Sequence, residues 1–248
     1  MTTVLITGAT RGIGLATAKL LGDQGWTVLV GAREEDRGKQ VSAELREAGV
    51  DAATVQLDVT DAGSVERAAA AVRERGGLDV LINNAGIVRA DGPGLPSDTT
   101  VPTMREVFET NVFGVVAVTN ALLPLLLDAP AGRIVNVSSE VGSIASMTDP
   151  DSPLFQLTSV PYPASKTALN MVTAMYAKEL RETRIKVNAA NPGYCATDLN
   201  HHTGFLTPEQ GAQVSVHLAT LPEDGPSGVL WGYLWQAGGE GGYGVLPW

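Results

Sequence analysis

Two side chains suited to proton transfer, those of Tyr162 and Lys166, lie four positions apart in the segment YPASK. If this segment is helical, both side chains lie on one side of the helix, one turn apart. An unperturbed phenol has a pKa of about 10, and a neighbouring positive charge favours its ionised form. We therefore expect Lys166 to lower the pKa of Tyr162, so that the phenol exchanges protons near neutral pH. The same spacing is common on solvent-exposed helices, so the spacing alone does not distinguish a catalytic pair from an ordinary surface pair. Motifs elsewhere in the chain are needed for that distinction.

Pro163 follows Tyr162 directly. Proline is tolerated in the first turn of a helix, because the N–H group that it lacks would have no partner there. The proline therefore predicts that the helix starts at this point, with Tyr162 at its N-terminal end.

A second segment with chemical meaning is the glycine-rich stretch 7–14, TGATRGIG. It follows the apolar run 4–6, which is typical of a strand, and it precedes a helix-like segment at 15–21. Such a turn lets backbone N–H groups approach a pyrophosphate at the positive end of the helix. Its spacing, GxxxGxG, differs from the common GxGxxG pattern. Its place after the first strand nevertheless indicates a phosphate-binding turn.

The elements that must position these residues alternate between apolar strand-like runs and helical segments. This alternation predicts an α/β fold with a doubly wound parallel sheet and helices on both faces, in one domain over residues 1–248. Ligands of such sheets bind beyond the carboxyl ends of the strands. The later predicted strands are 27–30, 53–57, 80–82, 134–137 and 185–189, and the predicted crossover helices are 35–48, 65–75 and 104–127.

Two irregular segments, 140–161 and 193–208, interrupt this alternation, and each follows a predicted strand. Long loops inside a compact domain often bind ligands or act as lids. We predict that both form walls of a substrate site. Whether 140–161 acts as a lid or as a subunit interface stays open.

Composition and charge restrict the partners. The formal net charge of −10 argues against nucleic acid or an anionic membrane, because like charges repel. The single cysteine, Cys195, excludes an intrachain disulfide and fits a reducing compartment. A first strand near residue 3 leaves no room for a secretion leader, and the apolar stretch 121–127, interrupted by Pro124, is too short to span a bilayer. We therefore expect a cytoplasmic protein.

Six motifs in fixed order resemble those of the short-chain dehydrogenase/reductase family. They are the turn 7–14, NNAG at 83–86, Asn111, the serine pair 138–139, Tyr162 with Lys166, and NPG at 191–193. The resemblance covers nearly the whole chain. The segments 77–81, 187–189 and 224–228 are similar to the carbonyl-reductase-like branch. The resemblance implies a Rossmann-type fold and a nicotinamide-dependent oxidoreductase.

Four catalytic residues follow from the resemblance. Tyr162 would donate a proton to the substrate carbonyl oxygen while hydride reaches the carbon, and Lys166 would hold the ribose and lower the pKa of Tyr162. Ser139 would donate a hydrogen bond to the same oxygen. Ser138 is its nearest rival, and Ser139 is preferred because the family's serine is the second of the pair. Asn111 would bend its helix locally and hold a water that links Lys166 to solvent.

The cofactor implied by the resemblance is NADP(H). NAD-preferring relatives carry an acidic residue at the position of Ala32, where it would repel a 2′-phosphate. Here Arg33 follows, and Arg11 in the glycine turn approaches the same place, so two guanidinium groups are available to bind that phosphate.

The remaining cofactor contacts also follow from the resemblance. Asp58 and Val59, after the third strand, would contact the adenine, although Asp58 is also a candidate cap for the following helix. The further predicted contacts lie in the glycine turn, after the fourth strand, in the YPASK segment and after the sixth strand: Gly8, Thr10, Gly12, Ile13, Gly14, Asn84, Gly86, Tyr162, Lys166, Gly193 and Thr197.

Neither the histidines nor the cysteine in the segment 193–208 predicts further chemistry. His201 and His202 are adjacent, but no Cys, His or Asp cluster accompanies them in the sequence, so we predict no metal site. We interpret Cys195 as a packed thiol, because the implied mechanism needs no thiol nucleophile.

The sequence as a whole predicts an NADPH-dependent carbonyl reductase, or ketoreductase, that converts a ketone or aldehyde to an alcohol. One alternative is an NADP-dependent alcohol dehydrogenase that works oxidatively in a specific pathway with the same residues. Another is a module that senses NADP without turnover, although such modules typically lose the Tyr or the Lys. The expected partner is a small carbonyl or alcohol substrate, with no nucleic acid or membrane, and a homo-oligomer stays open.

Overall fold

The computed structural model describes residues 2–235 and 241–248. Within them, eight strands form one sheet in the order β3-β2-β1-β4-β5-β6-β7-β8, and every neighbouring pair is parallel except β7 with β8. The predicted single domain also includes residues 1 and 236–240, which lie outside the described part. The strands are β1 Thr3–Thr7, β2 Thr27–Ala32, β3 Ala52–Gln56, β4 Val80–Asn83, β5 Arg133–Val137, β6 Lys186–Asn191, β7 Leu230–Leu234 and β8 Gly242–Leu246.

Helices cover both faces of the sheet, which confirms the doubly wound α/β prediction. Apolar side chains of α1, α2 and α8 pack on one face, and those of α3, α5 and α7 pack on the other. The helices are α1 Gly12–Gly22, α2 Glu35–Glu47, α3 Ala62–Glu74, α4 Val101–Phe108, α5 Gly114–Asp128, α6 Ile144–Thr148, α7 Pro161–Glu179 and α8 Pro208–Ala219.

The central strand β1 explains why the predicted strands are continuous apolar runs. Leu5 packs into the cluster on the α3, α5 and α7 side, while Val4 and Ile6 pack into the cluster on the opposite side. Successive side chains of a strand point to opposite faces, so a strand covered on both sides needs an apolar residue at every position.

The long helix predicted at 104–127 is interrupted. A π-helical turn, Glu109–Phe113, separates α4 from α5 and contains Asn111, so regular α-helical geometry is interrupted at the residue for which a local bend is predicted. The whole helical run, Val101–Asp128, is long and apolar enough to cross a bilayer by length and composition. Half of its most apolar stretch is buried inside the domain, as expected for a core helix.

The chain reverses its direction of travel across the sheet at β1. It moves outward through β2 and β3, and then returns to place β4 on the other side of β1. The carboxyl ends of β1 and β4 therefore flank a crevice of the kind in which ligands bind in open α/β sheets.

Candidate active site

The glycine turn after β1 forms one wall of this crevice. Gly8 and Gly12 have φ angles of +64° and +54°, in the left-handed region that favours glycine. A Cβ on Gly14 would lie 2.7 Å from the carbonyl oxygen of Gly8, so a side chain there would collide with the turn. The predicted turn residues Thr10 and Ile13 are partly exposed, and α1 begins at Gly12. The N-terminal end of α1 is thus presented to the crevice without Cβ atoms in the way.

The segment after β4 is tied to that turn. The Asn84 amide donates hydrogen bonds to the carbonyl oxygens of Thr7, at 2.9 Å, and Gly8, at 3.2 Å. The backbone N–H groups of Asn84 and Ala85 both donate to the Thr7 hydroxyl. Asn83 joins neighbouring strands, because its amide donates to Asn136 Oδ1 on β5 at 2.9 Å.

Tyr162 and Lys166 lie on α7, one turn apart, as predicted. The helix begins at Pro161, so Tyr162 is in its first turn, and Pro163 does not disturb it. The Lys166 side chain is buried, and its Nζ donates to the Val137 carbonyl oxygen at 2.8 Å and lies 5.4 Å from the centre of the Tyr162 ring. Burial lowers the pKa of Lys166 to about 8.

The pKa of Tyr162 differs from the sequence-based expectation. Burial raises it to about 12, and a hydrogen bond with the Ser139 side chain acts in the opposite direction. The expected lowering of the Tyr162 pKa is wrong for this arrangement, because burial disfavours the charged phenolate and outweighs the hydrogen bond with Ser139. The Lys166 ammonium donates its hydrogen bond to Val137 and not to the phenol.

The two serines after β5 have different environments. Ser138 is only 2% exposed, and its hydroxyl donates to Asn170 Oδ1 at 2.6 Å. Ser139 is partly exposed, contacts the Tyr162 side chain and accepts a weak bond from the Val141 N–H at 3.4 Å. Ser139 is therefore the serine that shares the crevice with Tyr162.

Asn111 is fully buried in the π-helical turn, close to Lys166. Its amide exchanges two hydrogen bonds with the backbone of Ile87, at 2.9 and 3.0 Å, and donates a third to the Ser165 hydroxyl at 3.0 Å. A Cβ on Gly86 would lie 3.4 Å from Asn111 Oδ1 and 3.8 Å from Lys166 Nζ. Asn111 Oδ1 and Lys166 Nζ thus meet at Gly86, and this Nζ is the atom that lies 5.4 Å from the centre of the Tyr162 ring.

The two arginines predicted to bind a 2′-phosphate differ in their contacts. Arg33 follows β2 with its side chain 74% exposed, 3.9 Å from Glu34. Arg11 is equally exposed, but its guanidinium donates to the Asp198 carboxylate at 3.1 Å. Residue 32 is a buried alanine, so its side chain carries no charge to repel a 2′-phosphate.

Asp58 does not cap the helix that follows it. Its carboxylate accepts from the N–H and hydroxyl of Thr60, whereas Asp61 caps α3 by accepting from the Ser64 N–H. Val59 packs closely against Gly114, because a Cβ added to that glycine would lie only 2.9 Å from the Val59 side chain. Contact of Asp58 and Val59 with adenine stays a prediction.

The segment after β6 folds back on the glycine turn. Gly193 has a φ of +78°, and a Cβ there would meet Leu206 at 2.6 Å. Thr197 begins the short 3₁₀ turn Asp198–Asn200, and its methyl group faces Gly12. His202 bonds to Asp198 at 2.9 Å. Across residues 2–235 and 241–248, no three His, Cys, Asp or Glu side chains converge as a metal site.

Residues 2–204 match the family model for short chain dehydrogenases. The chain belongs to the short-chain dehydrogenase/reductase family. Members of this family are oxidoreductases that use a nicotinamide cofactor, and the chain is an enzyme of this class.

Three members of the short-chain dehydrogenase/reductase family illustrate the similarity. The short-chain dehydrogenase anuI of Penicillium roqueforti (strain FM164) is 39% identical over 224 residues, covering 88% of each chain. The monensin polyketide synthase putative ketoacyl reductase of Streptomyces virginiae is 39% identical over 198 residues, covering 79% of this chain and 71% of the relative. The NADPH-bound carbonyl reductase from chicken fatty liver is 31% identical with a TM-score of 0.82, covering 94% of this chain and 96% of the other.

Sequence reasoning missed one residue of this short-chain dehydrogenase site. Asn170 is buried beside the serine pair, four positions after Lys166 and eight after Tyr162. Residues spaced by four lie on one face of a helix, so Asn170 is on the same face as Tyr162 and Lys166. Its place in this row was the signal in the sequence that could have identified it, and its neighbours Leu169 and Thr173 are also buried.

Proposed function

We propose that this short-chain dehydrogenase reduces a ketone or aldehyde to an alcohol with NADPH, with Tyr162 as the proton donor. The observation that carries the proposal is that Tyr162, Lys166, Ser139 and Asn111 converge at the strand ends beside the glycine turn. The four residues come from three separate elements, the π-helical turn, the end of β5 and α7, and their chemistry matches a single reaction. The ketoacyl reductase and carbonyl reductase relatives support the same reaction class.

Residues of the crevice fit a dinucleotide. The bare backbone at Gly8, Gly12 and Gly14 admits a pyrophosphate to the N-terminal end of α1. The exposed guanidinium of Arg33, with Ala32 in place of an acid, favours a 2′-phosphate and hence NADP(H). The nicotinamide, when bound, supplies the hydride that reduces the carbonyl carbon.

Two side chains of the protein act on the carbonyl oxygen of the substrate. Ser139 holds the carbonyl oxygen by a hydrogen bond and polarises it. Tyr162 donates its hydroxyl proton to that oxygen, so that negative charge does not build up there. The raised pKa of Tyr162 keeps the phenol protonated at neutral pH, which is the form that a reductase needs.

Lys166 and Asn111 act after Tyr162 has given up its proton, by stabilising the phenolate and by helping to return a proton from solvent. The Lys166 ammonium stabilises the phenolate that remains after proton transfer, because opposite charges attract most strongly in a buried site. Asn111, whose Oδ1 lies with Lys166 Nζ around Gly86, would hold a water on the path from Lys166 to solvent.

The test is a panel of ketones and aldehydes assayed for NADPH oxidation by the wild type and by Tyr162→Phe. We expect reduction of at least one ketone or aldehyde by the wild type and a loss of roughly 10²- to 10⁴-fold in kcat in the variant. The variant should still bind NADPH, as measured by cofactor fluorescence. Equal turnover by both proteins would overturn the assigned proton donor.

The same panel separates the alternatives. The corresponding alcohols are assayed with NADP⁺, because the same residues serve the reverse oxidation. Binding of NADP(H) without turnover in either direction would favour a sensing module, against which the presence of all four side chains argues. The cytoplasmic location stays a prediction, while the oligomeric state and the choice between a lid and a subunit interface for 140–161 stay open.

A further inference from the structure

We infer that Asn170 is a positioning residue that sets the place of Ser139 relative to Tyr162; this rests on the proposed function. Asn170 continues the row that Tyr162 and Lys166 form on α7, but it lies two turns from Tyr162, and its amide bonds to Ser138 and Gly142 rather than to the phenol. Its amide instead holds both ends of the short turn that carries Ser139.

The hydrogen bonds of Asn170 show how it does so. Its Oδ1 accepts from the Ser138 hydroxyl at 2.6 Å, directly before Ser139. Its Nδ2 donates to the Gly142 carbonyl oxygen at 3.1 Å, at the end of the 3₁₀ turn Glu140–Gly142. The amide is 3% exposed, so water does not readily replace either bond.

Gly142 reinforces the contact between this turn and α7. A Cβ on Gly142 would lie 2.7 to 2.9 Å from the backbone and Cβ of Lys166, so any larger residue would push the turn away from the helix. The turn is thus seated on the backbone of Lys166 itself. The two Asn170 bonds and this close approach fix three points around Ser139.

The opposite side of the turn has a separate anchor. The backbone N–H of Glu140, next to Ser139, donates to Asn191 Oδ1 at 2.9 Å. Loss of Asn170 therefore does not release the whole turn. It removes the restraint toward α7, which is the side on which Tyr162 lies, and a small displacement of a reacting group costs rate steeply.

The test is a double-mutant cycle of Asn170→Ala and Ser139→Ala in the reductase assay. We expect Asn170→Ala to lower kcat by roughly 10- to 100-fold with the Kd for NADPH unchanged. In the Ser139→Ala background the same change should lower kcat less than about twofold, because the group that Asn170 positions is already gone. A purely structural role would give the same loss in both backgrounds and would overturn the inference.

Two further variants keep the test decisive. Ser138→Ala removes the same hydrogen bond from the strand side, and it should reproduce most of the kcat loss if Asn170→Ala folds poorly. Thr173→Val is the matched control, because it removes a buried hydrogen bond between α7 and Asn136 on β5. It should lower the unfolding midpoint and leave kcat within about twofold.

The outcomes separate this inference from the proposed function. If Ser139→Ala lowers kcat while Asn170→Ala and Ser138→Ala do not, the inference fails and the proposed function stands. If Ser139→Ala and Tyr162→Phe leave turnover intact, the proposed function fails, and the positioning role of Asn170 fails with it.

Discussion

The ammonium group of Lys166 donates a hydrogen bond to the backbone carbonyl oxygen of Val137, the last residue of β5, at 2.8 Å. The bond holds a buried positive charge against the strand that leads directly into Ser138 and Ser139. The bond therefore joins α7, which carries the proposed proton donor Tyr162, to the end of β5, which is followed by the proposed carbonyl-binding Ser139.

Replacing Lys166 with Met should stabilise the fold at pH 7 while abolishing turnover. Burial lowers the pKa of Lys166 to about 8, against about 10.4 in an unfolded chain. The unfolded chain thus binds more protons between these values, and wild-type stability rises with pH across that window. We expect the variant to gain about 2 kcal/mol at pH 7, after about 1 kcal/mol is lost with the hydrogen bond.

Denaturant unfolding at pH 7 and at about pH 10.5 measures this effect. The advantage of Lys166→Met should disappear at the higher pH, where the wild-type lysine is neutral in the folded chain. Lys178→Met, an exposed position on the same helix, is the control and should change little at either pH. The same gain at both pH values would contradict the assignment to buried charge.

Asn111→Ala should destabilise the protein by roughly 2 to 4 kcal/mol, because it removes two hydrogen bonds to partly buried backbone groups of Ile87 and a buried one to the Ser165 hydroxyl. Chemical denaturation provides the measurement. Asn120→Ala on the same helical run is the control, since its amide accepts only from the partly exposed Tyr176 hydroxyl. We expect less than about 1 kcal/mol there, and equal losses would count against a special role for the π-helical turn.

Arg33→Ala should raise the KM for NADPH by roughly 10- to 100-fold and change the KM for NADH little. A charge-assisted hydrogen bond to a 2′-phosphate is worth about 1.5 to 3 kcal/mol, and NADH lacks that phosphate. Initial rates with both cofactors test this, with Arg37→Ala on the exposed face of α2 as control. Parallel effects on both cofactors would refute the assignment of Arg33.

Asp198→Asn should tighten NADPH binding by about two- to fivefold. The Asp198 carboxylate pairs with Arg11 at 3.1 Å, and exposed pairs of this kind are worth up to about 1 kcal/mol. Breaking the pair frees Arg11 for the 2′-phosphate and removes a negative charge near it. Fluorescence titration with NADPH and NADH measures the difference.

The control for Asp198 is Glu209→Gln, which changes the net charge equally at an exposed position on α8. It should leave both affinities unchanged. Weaker NADPH binding in Asp198→Asn would mean that the carboxylate helps to hold the site rather than competing for Arg11.

Local sequence was enough for the sheet, the glycine turn and the position of the tyrosine–lysine pair. Strands buried on both faces have to be apolar at each position, as in 4–6, and a turn with left-handed φ angles needs glycine, as at Gly8 and Gly12. A four-residue spacing fixes a helix face whatever packs against it, so Tyr162 and Lys166 were placed correctly before any contact was known.

Only the tertiary structure decided which of the candidate side chains already have hydrogen-bond or ion-pair partners within the protein. Ser138 differs from Ser139 because Asn170, 32 positions away, accepts its hydroxyl, and Arg11 differs from Arg33 because Asp198, 187 positions away, pairs with it. The pKa of Tyr162 rose instead of falling for the same reason. Burial and long-range hydrogen bonds depend on what the fold brings around a side chain, and the spacing of residues along the chain does not contain that information.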